Sequence, residues 1–488
     1  MEYIELYTDQ LEKSNSSPSI RYISVVCIGL FIVLGTFLLS TVFEWEYYFF
    51  LVSFCLAVFV VALIRFDIAF LLVPIIIINP YTLVETGTKL HISELILPIL
   101  YLVWFIRIAI SGEKIFFPKL FLFPSLVILA TALLSLLVAR YYLPGLYHIV
   151  RYIEILGIFF MVVLRSCRNE QQIKRLHLSL IIGGLFASIV GLVQFLFDIL
   201  ATGEIHRVYG WHGPAYGAVM ASILLLSVSA LLYQNQKILR VWAAITIPFS
   251  GLALILCQTR AWIGAFFLAL GILFFLTKKD VLKKVLFMIG IVFSVVVLVS
   301  IIVWLDIVDR NYFIIALDRA FRFGSTPGKR SVSDLALFMR MNVWRWAIVQ
   351  YIYHPIMGIG IGNLRFANYF TPALVTPTAE AGWVDNQYIQ FFAEAGTVAG
   401  IAWILYVSRA IRLGLKSVRR TVGSDLHAQA IGMFLSLLIL VIGSFFWVIT
   451  PQHELLAMMV LYIGLLYNIY DLNSGNIPAM RTEQNKNE

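Results

Sequence analysis

Cysteine and charge are both scarce in this sequence. Four cysteines occur in 488 residues (Cys27, Cys55, Cys167 and Cys257), with no CxxC pair and no Cys/His spacing that suits a metal. A disulfide framework and a zinc module are thereby excluded as organising principles. Charged residues make up 13% of the chain. There is no glycine loop of the phosphate-cradling type, so no nucleotide-binding domain and no cofactor are expected. Any reaction must then draw its energy from a substrate that is already activated. No cleavable leader is expected either. The first twenty residues are polar and acidic, and the first apolar run is long enough to span and lacks a small-residue cleavage site.

Apolar residues fill the space. The chain is 61% hydrophobic with a mean hydropathy of +0.90. Many uncharged runs reach about 18–23 residues, each enough to cross ~30 Å of hydrocarbon. The expected fold is all-α: a polytopic integral membrane helix bundle of about 12–14 transmembrane helices. About fourteen spans can be placed, at 20–43, 46–64, 67–80, 93–110, 120–139, 144–164, 177–198, 214–233, 241–257, 261–277, 285–305, 387–408, 427–449 and 453–471.

Charge asymmetry orients these spans. With the N-terminus inside, the inner loops carry Arg65, Arg107, Lys114, Lys119, Arg165, Arg168, Lys174, Arg175, Lys237, Arg240, Lys278, Lys279, Lys283 and Lys284. They also carry the run Arg409, Arg412, Lys416, Arg419 and Arg420. The short outer loops carry only Lys89, Arg140, Arg207 and Arg260. This bias predicts a multi-pass protein of the plasma membrane with both termini cytoplasmic. The formal charge of +9 is therefore a topology signal, and no nucleic-acid partner is expected. The organisation read from it is a cytoplasmic segment 1–19, eleven spans over 20–305, an outer loop 306–384, three spans over 385–471 and a cytoplasmic tail 472–488.

The outer loop is the distinctive part. It opens basic, with Arg310, Arg319, Arg322 and the run 324–330. Residues 333–353 lack Gly and Pro and are rich in Trp344, Trp346 and Tyr351, which predicts a helix lying on the membrane surface. His354-Pro355 ends it, and a turn with Gly358, Gly360 and Gly362 follows. Glycines at alternate positions allow positive φ and close approach of another group. No strand precedes this turn, so its likeness to a dinucleotide fingerprint is superficial.

Several segments resemble one family. His354-Pro-Ile-Met-Gly-Ile-Gly-Ile-Gly-Asn363 is similar to the glycine-turn signature of the O-antigen ligase/polymerase family of bacterial membrane glycosyltransferases. Asp385-Asn386-Gln-Tyr-Ile-Gln-Phe-Phe-Ala-Glu-Ala-Gly396 through Gly400 resembles that family's segment of a histidine-asparagine pair followed by a glutamate and two glycines. Gln258-Thr-Arg260-Ala-Trp-Ile-Gly264, the stretch Arg207 to Gly217 and the helix Arg340 to Trp346 resemble three further segments. They run in the family's order over residues 140–470. Where the family's ligases carry a histidine implicated in catalysis, this chain has Asp385, and a later small residue of the pattern is Ala399. Both departures favour a polymerase over a ligase, and the basic stretch Arg310–Arg330 would suit an anionic glycan, of which teichuronic acid is one candidate.

The resemblance implies transfer of a glycan from a polyprenyl pyrophosphate onto a sugar hydroxyl at the extracytoplasmic face. The product would be a capsule, exopolysaccharide, O-antigen or teichuronic acid. Implied partners are the polyprenyl-pyrophosphate-linked oligosaccharide, membrane lipids, and a chain-length regulator and flippase of the same pathway. The alternatives are a ligase acting on a finished glycan, and a lipid-linked oligosaccharide flippase. A flippase should show two similar halves and broken helices at the midplane, neither of which is clear in the sequence.

Roles follow the motifs. Arg207, Arg260 and Arg340 are the expected pyrophosphate ligands, because a guanidinium stays charged and binds phosphate oxygens as a fork. The bland reading of the first two is snorkelling at the interface. Asp385 is the expected base, or alternatively only the N-cap of the next helix. His212, Tyr216 and Asn386 are possible substrate contacts. Glu394 is either structural or a second carboxylate. Arg151, inside a span, is a possible substrate contact or the ion-pair partner of Glu154. Gly358, Gly360 and Gly362 are expected to shape the turn.

Overall fold

In the computed structural model of the chain, the described residues are 46–79, 82–84, 90–112, 115–202, 208, 215–276, 332–364, 384–450 and 452–474. The spans expected at 20–43 and 285–305, and the basic opening of the outer loop, lie outside them. The contacts divide the chain into two units, residues 1–72 with 94–113 and residues 73–93 with 114–488.

The first unit contains α1 (Glu46–Ile64), α2 (Phe66–Phe70) and most of α4 (Ile92–Ser111). Arg107 from α4 closes the end of α1, its Nη2 donating to the Leu63 and Ile64 carbonyls at 2.9 and 3.3 Å. Carbonyls at a helix C-terminus lack intrahelical donors, and a guanidinium fits them. The span expected at 67–80 is in fact two short helices, α2 and α3 (Leu72–Ile78), and Pro74 lies inside the second.

The second unit holds the rest. A small antiparallel hairpin, β1 (Thr82–Val84) with β2 (Leu90–His91), precedes α4. Then come α5 (Lys119–Ser135), α6 (Tyr142–Tyr152), a π-helical stretch Ile153–Phe159, α7 (Phe160–Ser166) and α8 (Glu170–Thr202). They are followed by α9 (Tyr216–Tyr233), α10 (Lys237–Leu256), α11 (Arg260–Leu276), α12 (Val332–Tyr353), α13 (Gln387–Arg420), α14 (His427–Gly443) and α15 (His453–Leu472). Among the described residues, eight helical stretches are long and apolar enough to cross a membrane. The fold is an all-α polytopic membrane bundle.

Burial follows sequence pattern. Helices α9, α14 and α15 are apolar on every face and buried along nearly their whole length, which makes them the core. Small residues let α9 and α14 approach closely. Ser436 Oγ donates to the Ser222 carbonyl at 2.9 Å, and a Cβ at Gly432 would meet Ser229 Oγ at 2.2 Å. At the periphery, α5 exposes Leu122, Phe123, Leu126, Leu133 and Leu134, an outward face suited to lipid.

Two expected inner loops are helical. The run Arg409 to Arg420 forms the last turns of α13, and Lys174 and Arg175 lie in α8. Hydropathy falls where charge begins, but helical hydrogen bonding continues until a stop such as Gly423, with φ 85°. Lys174 bonds Glu170 one turn earlier and Asp425 at 3.3 Å.

Candidate functional site

The site is built where α12 grips the entrance of α13. Arg340 and Trp344 are four residues apart on α12 and share a face. Trp344 Nε1 donates to the Val384 carbonyl at 2.6 Å, and Arg340 Nε donates to Asp385 Oδ2 at 3.1 Å. The guanidinium meets the carboxylate through Nε alone, which leaves its two terminal NH2 groups outside that bond. The ion pair is partly buried, with side-chain exposures of 39% and 21%. Around it, Ala347, Leu364, Val384 and Ala393 form an apolar cluster with Trp344, Trp346 and Tyr351 packed against it. The aromatic residues that read as membrane anchors in the sequence therefore turn toward α13. The other face of α12 exposes Met341, Ile348, Ile352 and Tyr353.

Asp385 has φ 50°. This left-handed conformation suits few side chains, among them Asp, Asn and His. The aspartate of this chain and the histidine of the ligase pattern are thus both compatible with one backbone. Asp385 is not the N-cap of α13. That role belongs to Asn386, whose side-chain oxygen accepts from the Tyr388 and Ile389 N–H groups at 3.0 Å each. Asn386 also donates to the Phe445 carbonyl at 3.0 Å, so its amide is engaged by the protein itself. Burial pushes the Asp385 carboxyl above the usual carboxylate range, and the Arg340 charge and hydrogen bond oppose that rise.

The entrance is fixed from below by Gln387. Its N–H donates to the Ser444 carbonyl at 2.9 Å, its Oε1 accepts from Ile449 and Thr450 at 2.7 and 2.8 Å, and its Nε2 donates to Thr450 Oγ1 at 2.8 Å. Trp262, in the first turn of α11, packs against Gly443 so closely that a Cβ there would overlap the ring. The start of α11, which carries Arg260, and the start of α13 thus share the segment 443–450.

The glycine turn completes the site by entering a break in α13. Gly396 has φ 82° and ψ −176°, which interrupts the helix. The Ala393 and Glu394 carbonyls accept from the Ile359 and Gly360 N–H groups at 3.0 Å each, and Thr397 N–H donates to the Pro355 carbonyl at 2.8 Å. The turn thus takes up the Ala393 and Glu394 carbonyls and the Thr397 N–H beside the break, as an apolar interior favours. Gly358, Gly360 and Gly362 have φ of 66°, 97° and 73°. A Cβ at Gly358 would lie 2.3 Å from the Glu394 carbonyl carbon, and one at Gly396 would lie 2.1 Å from the Ile356 carbonyl oxygen. The sequence showed no clear broken helix, whereas the structure has one, filled by the chain's own backbone.

The remaining candidates are distributed differently. Glu394 is 1% exposed and holds Leu364 N–H at 3.2 Å and Gln390 Nε2 at 3.0 Å, so its oxygens serve the turn. Tyr216 is buried in the core and its hydroxyl donates to the Ala187 carbonyl at 2.9 Å, so its proton is engaged by the protein itself. Arg151 is buried, donates to the Tyr147 hydroxyl and lies over that ring at 4.3 Å. Glu154 meets His453 Nε2 at 3.4 Å, and Ser93 Oγ is 3.5 Å from His453 Nδ1. The π-helical turn beginning at Ile153 departs from the α-helical register assumed for Arg151 and Glu154. Arg260 opens α11 and is half-buried. Arg207 and His212 lie outside the described residues. Among the described residues, no three His, Cys, Asp or Glu side chains gather to hold a metal. Trp344 and Gln387 were not singled out from the sequence for the site. The four-residue spacing of Arg340 and Trp344 was the available signal for the first, and nothing local marked the second.

The described helices and the motif segments packed at the α13 entrance define the class: a polytopic helical membrane protein. Residues 245–404, about a third of the chain, match the family described as O-antigen ligase. That family acts on lipid-linked glycans as membrane glycosyltransferase-like enzymes. No curated protein matches the chain.

Proposed function

We propose that the protein is a polysaccharide polymerase that transfers a polyprenyl-pyrophosphate-linked glycan onto a repeat-unit sugar hydroxyl at the extracytoplasmic face of the plasma membrane. The observation that carries this reading is the Arg340–Asp385 pair at the entrance of α13. One guanidinium, whose terminal NH2 groups take no hydrogen-bond partner among the described residues, stands beside one carboxylate held outside its helix by a left-handed backbone. The acceptor oxygen attacks the anomeric carbon, the bond from that carbon to the phosphate oxygen breaks, and the pyrophosphate leaves with the charge. Arg340, with Arg260 and Arg207, stabilises that charge as it develops. The hydroxyl proton passes to Asp385. No nucleotide or metal takes part in this scheme, because the leaving group is already activated.

The filled break in α13 supports an enzyme over a flippase, since the freed backbone groups are spent on the chain's own turn instead of a transport path. The match to the O-antigen ligase family keeps transfer of a finished glycan as the second reading. Deleting the gene and analysing surface glycans separates the two. Loss of the polymerase leaves single repeat units on the carrier, whereas loss of a ligase accumulates long lipid-linked polymer. Unchanged surface glycan defeats both.

Asp385→Asn tests the site itself. Asn tolerates the left-handed backbone and removes only the ionisable group. Because folding raises the Asp385 pKa, the folded state loses stability as pH rises through that pKa. The Asn variant should therefore be at least as stable as wild type at neutral pH, yet form no polymer. Normal polymer from it would remove Asp385 from the chemistry.

A further inference from the structure

Among the described residues, two that are not glycine hold a left-handed backbone: Asp385, and Gln258 with φ 52°. Gln258 lies in the turn between α10 and α11, two residues before Arg260. It is 4% exposed, and its Oε1 is buried with no hydrogen-bond partner among the described residues. Gln390 and Gln429 also have an unpaired Oε1, but each bonds through Nε2, to Glu394 and to Gln234. The Gln258 amide makes no hydrogen bond at either end among the described residues.

Its neighbours are satisfied. Thr259 Oγ1 donates to the Cys257 carbonyl at 3.1 Å, and Cys257 Sγ donates to the Leu254 carbonyl at 2.9 Å. An unpaired buried amide is a standing cost to a fold and calls for a specific reason. A ligand that completes it supplies one. The place is informative, because the α11 entrance that carries Gln258 and Arg260 shares the Gly443–Ser444 segment with the α13 entrance that carries Asp385.

The chemistry narrows the ligand. A pyrophosphate offers only acceptors, so it cannot satisfy Oε1. A sugar hydroxyl both donates and accepts, and a carboxamide matches it at both ends. We propose that Gln258 binds the sugar attached to the pyrophosphate, while Arg260 holds the phosphate. This inference rests on the glycan-transfer reading above.

The test is Gln258→Met, which keeps length and a similar backbone requirement but removes both polar atoms. The full-length purified protein is heated with and without farnesyl pyrophosphate, a sugar-free polyprenyl pyrophosphate, and surface glycan is measured in cells that carry the variant. The expected result is an unliganded midpoint no lower than wild type, an unchanged shift on adding the probe, and about tenfold less long-chain glycan, the size of one good hydrogen bond. Wild-type glycan, a lost probe shift or a lowered unliganded midpoint would each overturn the assignment. Arg260→Lys is the counterpart and should weaken the probe shift. If wild type itself shows no shift with the probe, the carrier reading falls and Gln258 falls with it. A shift in wild type with normal glycan in Gln258→Met sinks this inference alone.

Discussion

Replacing Gly396 by alanine should unlock the junction between α13 and the glycine turn. A non-glycine residue in a backbone state of this kind costs about 1–3 kcal/mol from conformation alone. The added Cβ would sit 2.1 Å from the Ile356 carbonyl oxygen and 2.5 Å from its carbonyl carbon, both backbone atoms that cannot swing aside. Forcing such an overlap adds about 1–3 kcal/mol. The total, about 2–6 kcal/mol, is a large share of the stability of a typical domain. Gly251 is the control, because it lies inside α10 and a Cβ there meets nothing within 4 Å. Gly251→Ala should be neutral or stabilising by up to about 1 kcal/mol. The assay is thermal unfolding of the two variants in the same detergent, followed by tryptophan fluorescence. If Gly396→Ala melts with Gly251→Ala, the break is not held closed by the turn, and the account of the site fails.

Three further expectations concern charge, position and topology. In Arg340→Gln the opposing charge is gone, so the Asp385 pKa rises further, and the acid limb of the transfer pH profile should move to higher pH; a limb that stays put, in a variant that retains activity, would detach Asp385 from Arg340. Trp344→Phe keeps the ring but strands the Val384 carbonyl, which should cost about 1–3 kcal/mol of stability and several-fold in glycan transfer, measured by melting and by polymer length. A cysteine at Ser325 should react with an impermeant reagent in intact cells and one at the exposed Lys416 should not, and the opposite pattern would invert the proposed orientation.

Much of the bundle was legible because a hydrocarbon solvent allows few solutions. Apolar runs of sufficient length must be helices, and the bounds of α4, α9, α10 and α15 fall within a few residues of the hydropathy reading. The ends were less legible where helices outrun the membrane, as at Arg420, because charge ends a hydropathy window without ending a helix. Glycines at alternate positions announced a turn. They could not show that Gly396, thirty-four residues beyond Gly362, makes the slot that receives it. Asp385 read equally well as a cap or a base, since the choice depends on a backbone angle that no pattern of residue types encodes. Gln387 was invisible for a similar reason: its partners, Ile449 and Thr450, are distant in sequence and contribute backbone groups.

The filled break in α13 also bears on how such a chain can change. The turn donates where the helix accepts, so residues 355–360 and 393–397 are two halves of one fitting. A chimaera that imports either half from a helix without the interruption would leave main-chain donors and acceptors stranded in an apolar interior. The two halves are therefore expected to be inherited together, although they lie more than thirty residues apart in sequence.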